Sequence, residues 1–149
     1  MANKTKKAQM VLAAIDEASH SFHFLLLQTN ERRGLFWQNV TGKLEEKESF
    51  EEGGLREAME ETNLPLDKIV DIINLNLRFD FIDLRERNVH EESFLIVLDG
   101  KWEVKLDGHE HSNFRWVPLS EIKEGIVKFE SNFEALQKSV NLLKKWDKE

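Results

Sequence analysis

The 149-residue chain contains no cysteine, which excludes disulfides and thiolate chemistry and is compatible with a reducing cytoplasm. No apolar run approaches the ~20 residues of a membrane span. The lysine-rich start leads into the strand-like MVLAAI at 10–15, too short and wrongly flanked for a signal peptide. Basic blocks are also missing. Apart from KTKK at 4–7 and Arg32-Arg33, cations are scattered through a chain of formal charge −7, which argues against a broad nucleic-acid surface. No internal repeat or low-complexity segment interrupts the chain. What is there, 40% apolar residues in 149, fills one core, so a single cytoplasmic domain over 1–149 is expected, without membrane contact.

The acidity is concentrated. Residues 45–61 hold eight carboxylates (Glu45, Glu46, Glu48, Glu51, Glu52, Glu57, Glu60, Glu61) and two cations (Lys47, Arg56), a net −6. Ser49 followed by Glu52 forms a capping-box pattern, and Leu55, Ala58, Met59 and Thr62 recur at helical spacing. The expected helix therefore turns Glu57, Glu60 and Glu61 to the opposite face, where like charges about 5–6 Å apart repel. Such a face calls for a counter-cation. Mg²⁺, which takes carboxylate oxygens and shares its other positions with water and phosphate, suits it. Gly53-Gly54 inside the helix costs up to about 1 kcal/mol each relative to Ala, a loss that close packing against a strand would explain.

In chain order, residues 9–15 and 22–28 read as strands joined through Glu17-Ala18-Ser19-His20. Polar residues 29–36 form a loop that delivers Trp37 to the acidic stretch. Pro65 ends the helix, and the alternation over 69–84 is that of a strand or hairpin arm, with a turn at 85–88. Strands are expected at 93–98, 101–106 and 114–117, with a polar loop at 107–113. Pro118 opens a helical turn at 119–122, and Ser131 is expected to cap a final helix carrying Phe133, Leu136, Val140, Leu143 and Lys144. Strands, helix, strands, helix predict an α/β sandwich with a mixed sheet between helices.

The ordered spacing from Gly42 through Glu48, Arg56-Glu57-Ala58 and Glu60-Glu61 to Asn63-Leu64 resembles the signature of the Nudix hydrolases, GX5EX7REUXEEXGU with U apolar, at eight of nine specified positions. The departure is Asn63, where the family carries glycine. Asn is the usual second choice for the left-handed conformation expected there. Phe36-Trp37-Gln38, Val40-Thr41-Gly42, Glu110-His111, Trp116 and Ser131-Asn132 look like the bacterial dihydroneopterin triphosphate (dATP) pyrophosphohydrolase branch of that family.

The resemblance implies the Nudix α/β/α sandwich with a loop-helix-loop catalytic element at 42–64. It makes Glu57 and Glu61 metal ligands, Glu60 a further ligand or base, Glu110 an additional ligand from outside the signature, and the Thr41 carbonyl the completing donor. The ion would be Mg²⁺, with Mn²⁺ possible. Glu57, Glu60 and Glu110 are the alternatives for the base that deprotonates the attacking water. Glu48 can return across the loop to pair with Arg56, a structural role shared with Gly42. His109 and His111 lack any metal-binding spacing and read as loop histidines; His90 reads as a residue at a strand entrance.

The reaction implied is hydrolysis of a (deoxy)nucleoside or dihydroneopterin triphosphate to the monophosphate and pyrophosphate. Trp37, Phe79 and Phe81 could stack on a planar base or pterin. Lys6, Lys7, Arg85 and Arg87 could contact phosphates, and Thr41 stands at the site entrance. The same carboxylates would serve an RNA 5′-triphosphate end, a dinucleotide or a nucleotide sugar, and these remain alternatives.

Overall fold

The computed structural model describes residues 4–146; the ends of the expected domain, 1–3 and 147–149, lie outside the described residues. The spine of the fold is β1 (Thr5–Asp16). Its residues 8–14 are all buried, because Met10, Leu12 and Ala14 fill one core while Val11 and Ala13 fill another on the other face of the sheet. A run apolar on both faces is what a central strand requires. Along one edge β1 pairs in parallel with β6 (Asn88–Leu98), which in turn pairs with β5 (Ile69–Ile82). Along the other edge it pairs antiparallel with β2 (Ser21–Thr29) over residues 12–16 and with β4 (Val40–Lys43) over residues 7–10. β2 also carries β3 (Trp37–Gln38) and β7 (His111–Pro118), giving a seven-stranded mixed sheet.

Helix α1 (Phe50–Thr62) covers one face of the sheet and α2 (Glu130–Trp146) the other. The capping box closes α1 as expected: Ser49 Oγ accepts from Glu52 N (3.1 Å) and Glu52 Oε1 accepts from Ser49 N (2.9 Å). Asn63 ends the helix in the left-handed region at φ 63°. The glycine pair is explained by proximity. A Cβ at Gly54 would run into Met10 and Ala8 of β1, and one at Gly53 into Leu44 and Glu48.

That close approach rotates the helix away from the expected orientation. The buried stripe is Gly53, Gly54, Ala58, Glu61 and Thr62, whereas Met59 is exposed. Glu61 therefore does not share the solvent face with Glu60; it points into the protein. Residues 101–106 are not a strand either. Their alternating Trp102, Val104 and Leu106 pack on the α1-side core, but Lys105 N and Trp102 Nε1 both donate to Thr62 O, at the end of α1, instead of to a neighbouring strand. Ser131 is the second residue of α2 and not its cap, and β7 starts at His111, three residues before the expected strand.

On the α2 side, a buried polar cluster fixes the segment between β3 and β4. Asn39 N donates to Asn132 Oδ1 (2.8 Å), Asn39 Nδ2 donates to Gln9 Oε1 (2.7 Å), and Gln9 Nε2 donates to Glu91 Oε1 (2.9 Å). Buried amides with partners specify one register, since a slipped strand would leave them unsatisfied. Gln38, Thr41 and Gly42 are thereby held at fixed depth beside α1.

Candidate active site

The loop between β4 and α1 is organised by Arg56. Its Nε donates to Glu48 Oε2 (2.8 Å) and its Nη2 to Glu48 Oε1 (2.9 Å), a bidentate pair, and Nη2 also donates to the Lys43 carbonyl (3.0 Å). Nη1 reaches Glu57 Oε1 (3.0 Å) and Glu60 Oε2 (3.2 Å). Glu48 accepts in addition from Glu45 N (2.7 Å). Bonds from Arg56, then from the Glu45 amide, hold the Glu48 carboxyl down to about 2. Charge-assisted bonds of this geometry tie the loop to the helix and set the direction of the helix carboxylates.

Glu57 lies against Gly42, where any Cβ would collide with its Cγ and Cδ. That contact accounts for glycine at this position more directly than backbone freedom does. Burial raises the Glu57 carboxyl, although Arg56 opposes the shift. Glu60 is more exposed, with 54% of its side chain accessible. One turn on, Glu61 is 4% exposed and accepts from His111 Nδ1 (3.0 Å). One carboxylate oxygen each from Glu61 and Glu110, with a ring nitrogen of His111, lie within 4.8 Å of one another. Burial raises both carboxyls, and for Glu110 the neighbouring Glu61 adds to the shift. Burial pushes His111 the other way, to about 4, so the imidazole is neutral. The nearest cation is Arg33, 3.9 Å from Glu110. It stands on a 3-10 turn, Glu31–Arg33, which Asn30 ties to the Glu110 loop by bonds between Asn30 N and Glu110 O (3.0 Å) and between Asn30 Nδ2 and His109 O (2.8 Å).

The other sequence candidates are distributed around this centre. Thr41 sits in β4 opposite Gln9 and next to Gly42. Trp37 packs against the α2-side core, and one ring face is taken by Arg115, 4.5 Å from the centroid. Lys6 is exposed opposite His90, and β-strand alternation puts it on the face of Ala8 and Met10. Lys7 is on the reverse face, opposite Glu91, where burial and then Arg87 lower its affinity for a proton. Arg87 is held by Asp83 Oδ2 (2.9 Å from Nε), while Arg85 is exposed at the hairpin turn. Phe79 and Phe81 alternate along β5 opposite Glu91 and Val89.

His111 is the residue that sequence reasoning misplaced. It is not a loop histidine but the buried first residue of β7, bonded to Glu61 on one side and to Gln38 on the other (2.9 Å). The only signal in the sequence is its place directly after Glu110 and before an apolar alternation. His90 differs in kind. It sits in β6 between Asp80 and Glu92, each 3.0 Å away.

A mixed sheet sandwiched between two helices, with a loop-helix element presenting glutamates beside a glycine, defines a class, and comparison with known proteins confirms it. The Nudix domain family matches residues 4–137, and the chain belongs to that family. A protein of Listeria monocytogenes classed as a Nudix hydrolase superposes with a TM-score of 0.79 at 26% identity, over 97% of both chains. E. coli dihydroneopterin triphosphate pyrophosphohydrolase gives 0.74 at 21% identity, over 95% of this chain and 99% of that one. C. elegans Ap4A hydrolase gives 0.75 at 20%, over 95% and 98%. An octanoyltransferase of Myxococcus xanthus is 36% identical over 98 residues, 64% of this chain. The match spans only 26% of that curated relative's length. No helix among the described residues is long and apolar enough to cross a membrane.

Proposed function

We propose that this chain, acting as one catalytic domain in the cytoplasm, is a pyrophosphohydrolase that uses Mg²⁺, or Mn²⁺ in its place, to cleave a nucleoside or dihydroneopterin triphosphate into the monophosphate and pyrophosphate. The observation that carries this reading is the convergence of Glu61 and Glu110, one helical turn from Glu57, with no bonded cation among the described residues closer than Arg33 at 3.9 Å. An all-carboxylate donor set suits a hard divalent ion, and both ring nitrogens of His111 are already engaged by hydrogen bonds. Glu57, Glu61 and Glu110 would hold the ion, with Glu60 and the Thr41 carbonyl as further donors. When bound, such an ion neutralises phosphate oxygens and acidifies water.

The chain's own groups supply the rest. Water oxygen forms a bond to one phosphorus of the α–β bridge and the bridging P–O bond breaks, so that pyrophosphate leaves on attack at the α-phosphorus and the monophosphate leaves on attack at the β-phosphorus. A glutamate, Glu57, Glu60 or Glu110, takes the water proton. The carboxyls of Glu57 and Glu110, raised by burial, are better proton acceptors than an ordinary surface carboxylate. Arg33, beside Glu110, offers positive charge to the polyphosphate.

The test is product analysis with Mg²⁺ over nucleoside triphosphates, dihydroneopterin triphosphate, Ap4A, ADP-ribose, nucleotide sugars and triphosphorylated RNA. Pyrophosphate release from a small triphosphate, abolished in Glu57→Gln, is the expected result. Two monophosphates from a dinucleotide or nucleotide sugar, without turnover of any triphosphate, would overturn it.

A further inference from the structure

The His111 imidazole is buried at the first position of β7, with 1% of its surface exposed, and neither ring nitrogen is free. Gln38 Nε2 lies 2.9 Å from His111 Nε2, and His111 Nδ1 lies 3.0 Å from Glu61 Oε2. An amide N–H that donates to Nε2 requires a lone pair there, so the single proton of a neutral ring stands on Nδ1, aimed at Glu61. Gln38 has little freedom to do otherwise. It is 4% exposed, its backbone is in register with Leu27 of β2, and the next residue, Asn39, is anchored by Asn132 at the start of α2. The chain of contacts thus runs from the buried polar cluster on one side of the sheet to a carboxylate on the other.

We propose that Gln38 and His111 form a positioning relay for Glu61: Gln38 selects the Nδ1–H tautomer of His111, and His111 donates that proton to one oxygen of Glu61, fixing the carboxylate for a divalent cation. This rests on the metal-dependent reading above. His111 is then a positioning residue and not a ligand, although its nitrogen lies inside the 4.8 Å group. The physical gain is orientation. A glutamate held by a buried donor has fewer rotamers to lose on binding a cation, and groups that orient ligands in this way typically contribute about 10–100-fold in metal affinity. The Nudix signature spans 42–64, so it specifies neither Gln38 nor His111.

Two substitutions separate this role from a structural or a ligating one. His111→Asn places its amide nitrogen where Nδ1 stood and can still donate to Glu61; His111→Gln places it near Nε2 and cannot. Mn²⁺ binding to the metal-free proteins, followed by calorimetry with thermal unfolding alongside, should leave the Asn variant within about threefold of the parent and weaken the Gln variant by about 10–100-fold, at similar metal-free stability. Long-range ¹H–¹⁵N NMR of the metal-free parent should show a neutral His111 protonated on Nδ1. An Nε2–H tautomer, or equal losses in both variants, would overturn the relay. Should either variant fail to fold, the parent's tautomer decides. A parent that shows the tautomer and the Asn/Gln order but hydrolyses no triphosphate would support the relay and refute the proposed reaction instead.

Discussion

Glutamates around the middle of α1 and glutamates at its C-terminal end meet opposite electrostatic situations. Around Arg56, midway along the helix, Glu45, Glu48, Glu57 and Glu60 all lie within 3.3 Å of its guanidinium, and Glu48 is held down to about 2. At the C-terminal end, Glu61 and Glu110 face each other with their carboxyls raised by burial, and the nearest bonded cation is Arg33 at 3.9 Å. Charge balanced within the chain makes a rigid joint. Charge left unbalanced and half-buried makes a site for something the chain does not contain, because burying carboxylates without a counter-charge is costly.

The contrast breaks most severely at Glu61. Glu61→Gln should lower kcat by about 100-fold or more, since the missing ligand acts on the transition state through the metal. The metal-free variant should be as stable as the parent or slightly more so, and its melting temperature should respond less to Mg²⁺. A destabilised variant with an unchanged Mg²⁺ response would make Glu61 a structural residue. Arg56→Ala tests the balanced group. Loss of the bidentate pair and the Lys43 carbonyl bond should destabilise the metal-free protein by about 2–3 kcal/mol in urea unfolding, and Arg56→Lys should recover less than half of that, because an ammonium cannot reproduce the fork.

Acid titration should reveal the same asymmetry as two slopes of opposite sign. Glu48, whose folded value is depressed, contributes stability above its ordinary 4.5 that is lost as pH falls towards about 2. Glu61 and Glu110, whose folded values are raised, contribute stability below 4.5 that is lost as pH climbs through those values. His111, pushed down to about 4 against the opposing pull of Glu110, adds a rise between 4 and 6.5. Subtracting the metal-free stability curve of Glu110→Gln from the parent's should therefore leave a decline with rising pH, and Mg²⁺ should abolish it. A flat difference would mean that the pair is not coupled. The smallest effect is at Asn63, in the left-handed region at φ 63°: Asn63→Gly should stabilise by no more than about 1 kcal/mol and leave turnover unchanged.

Much of this was legible in the sequence because it depends on local rules. The capping box at Ser49 and Glu52, the Asn63 cap, the β1–β2 hairpin and the Glu48–Arg56 reach are all set by spacing along the chain. What escaped depends on approach distance and on partners far away in sequence. Helical periodicity grouped Leu55 with Met59, but glycines at 53 and 54 let α1 press on Ala8 and Met10, which rotates Glu61 inward and Met59 outward. The alternation of Trp102, Val104 and Leu106 was real, yet alternation records which side is buried and not where the backbone bonds go. His111 lies 50 residues from Glu61 and 73 from Gln38, a pairing that no local pattern encodes.

The claim that one end of α1 is built for an external cation is tested most directly by calorimetric titration of Mn²⁺ into the metal-free parent, Glu61→Gln and Glu48→Gln proteins. Strong binding by the parent, near-parental binding by Glu48→Gln and a loss of about 10-fold or more in Glu61→Gln are predicted. Equal affinity in the parent and Glu61→Gln, or a larger loss in Glu48→Gln, would contradict it.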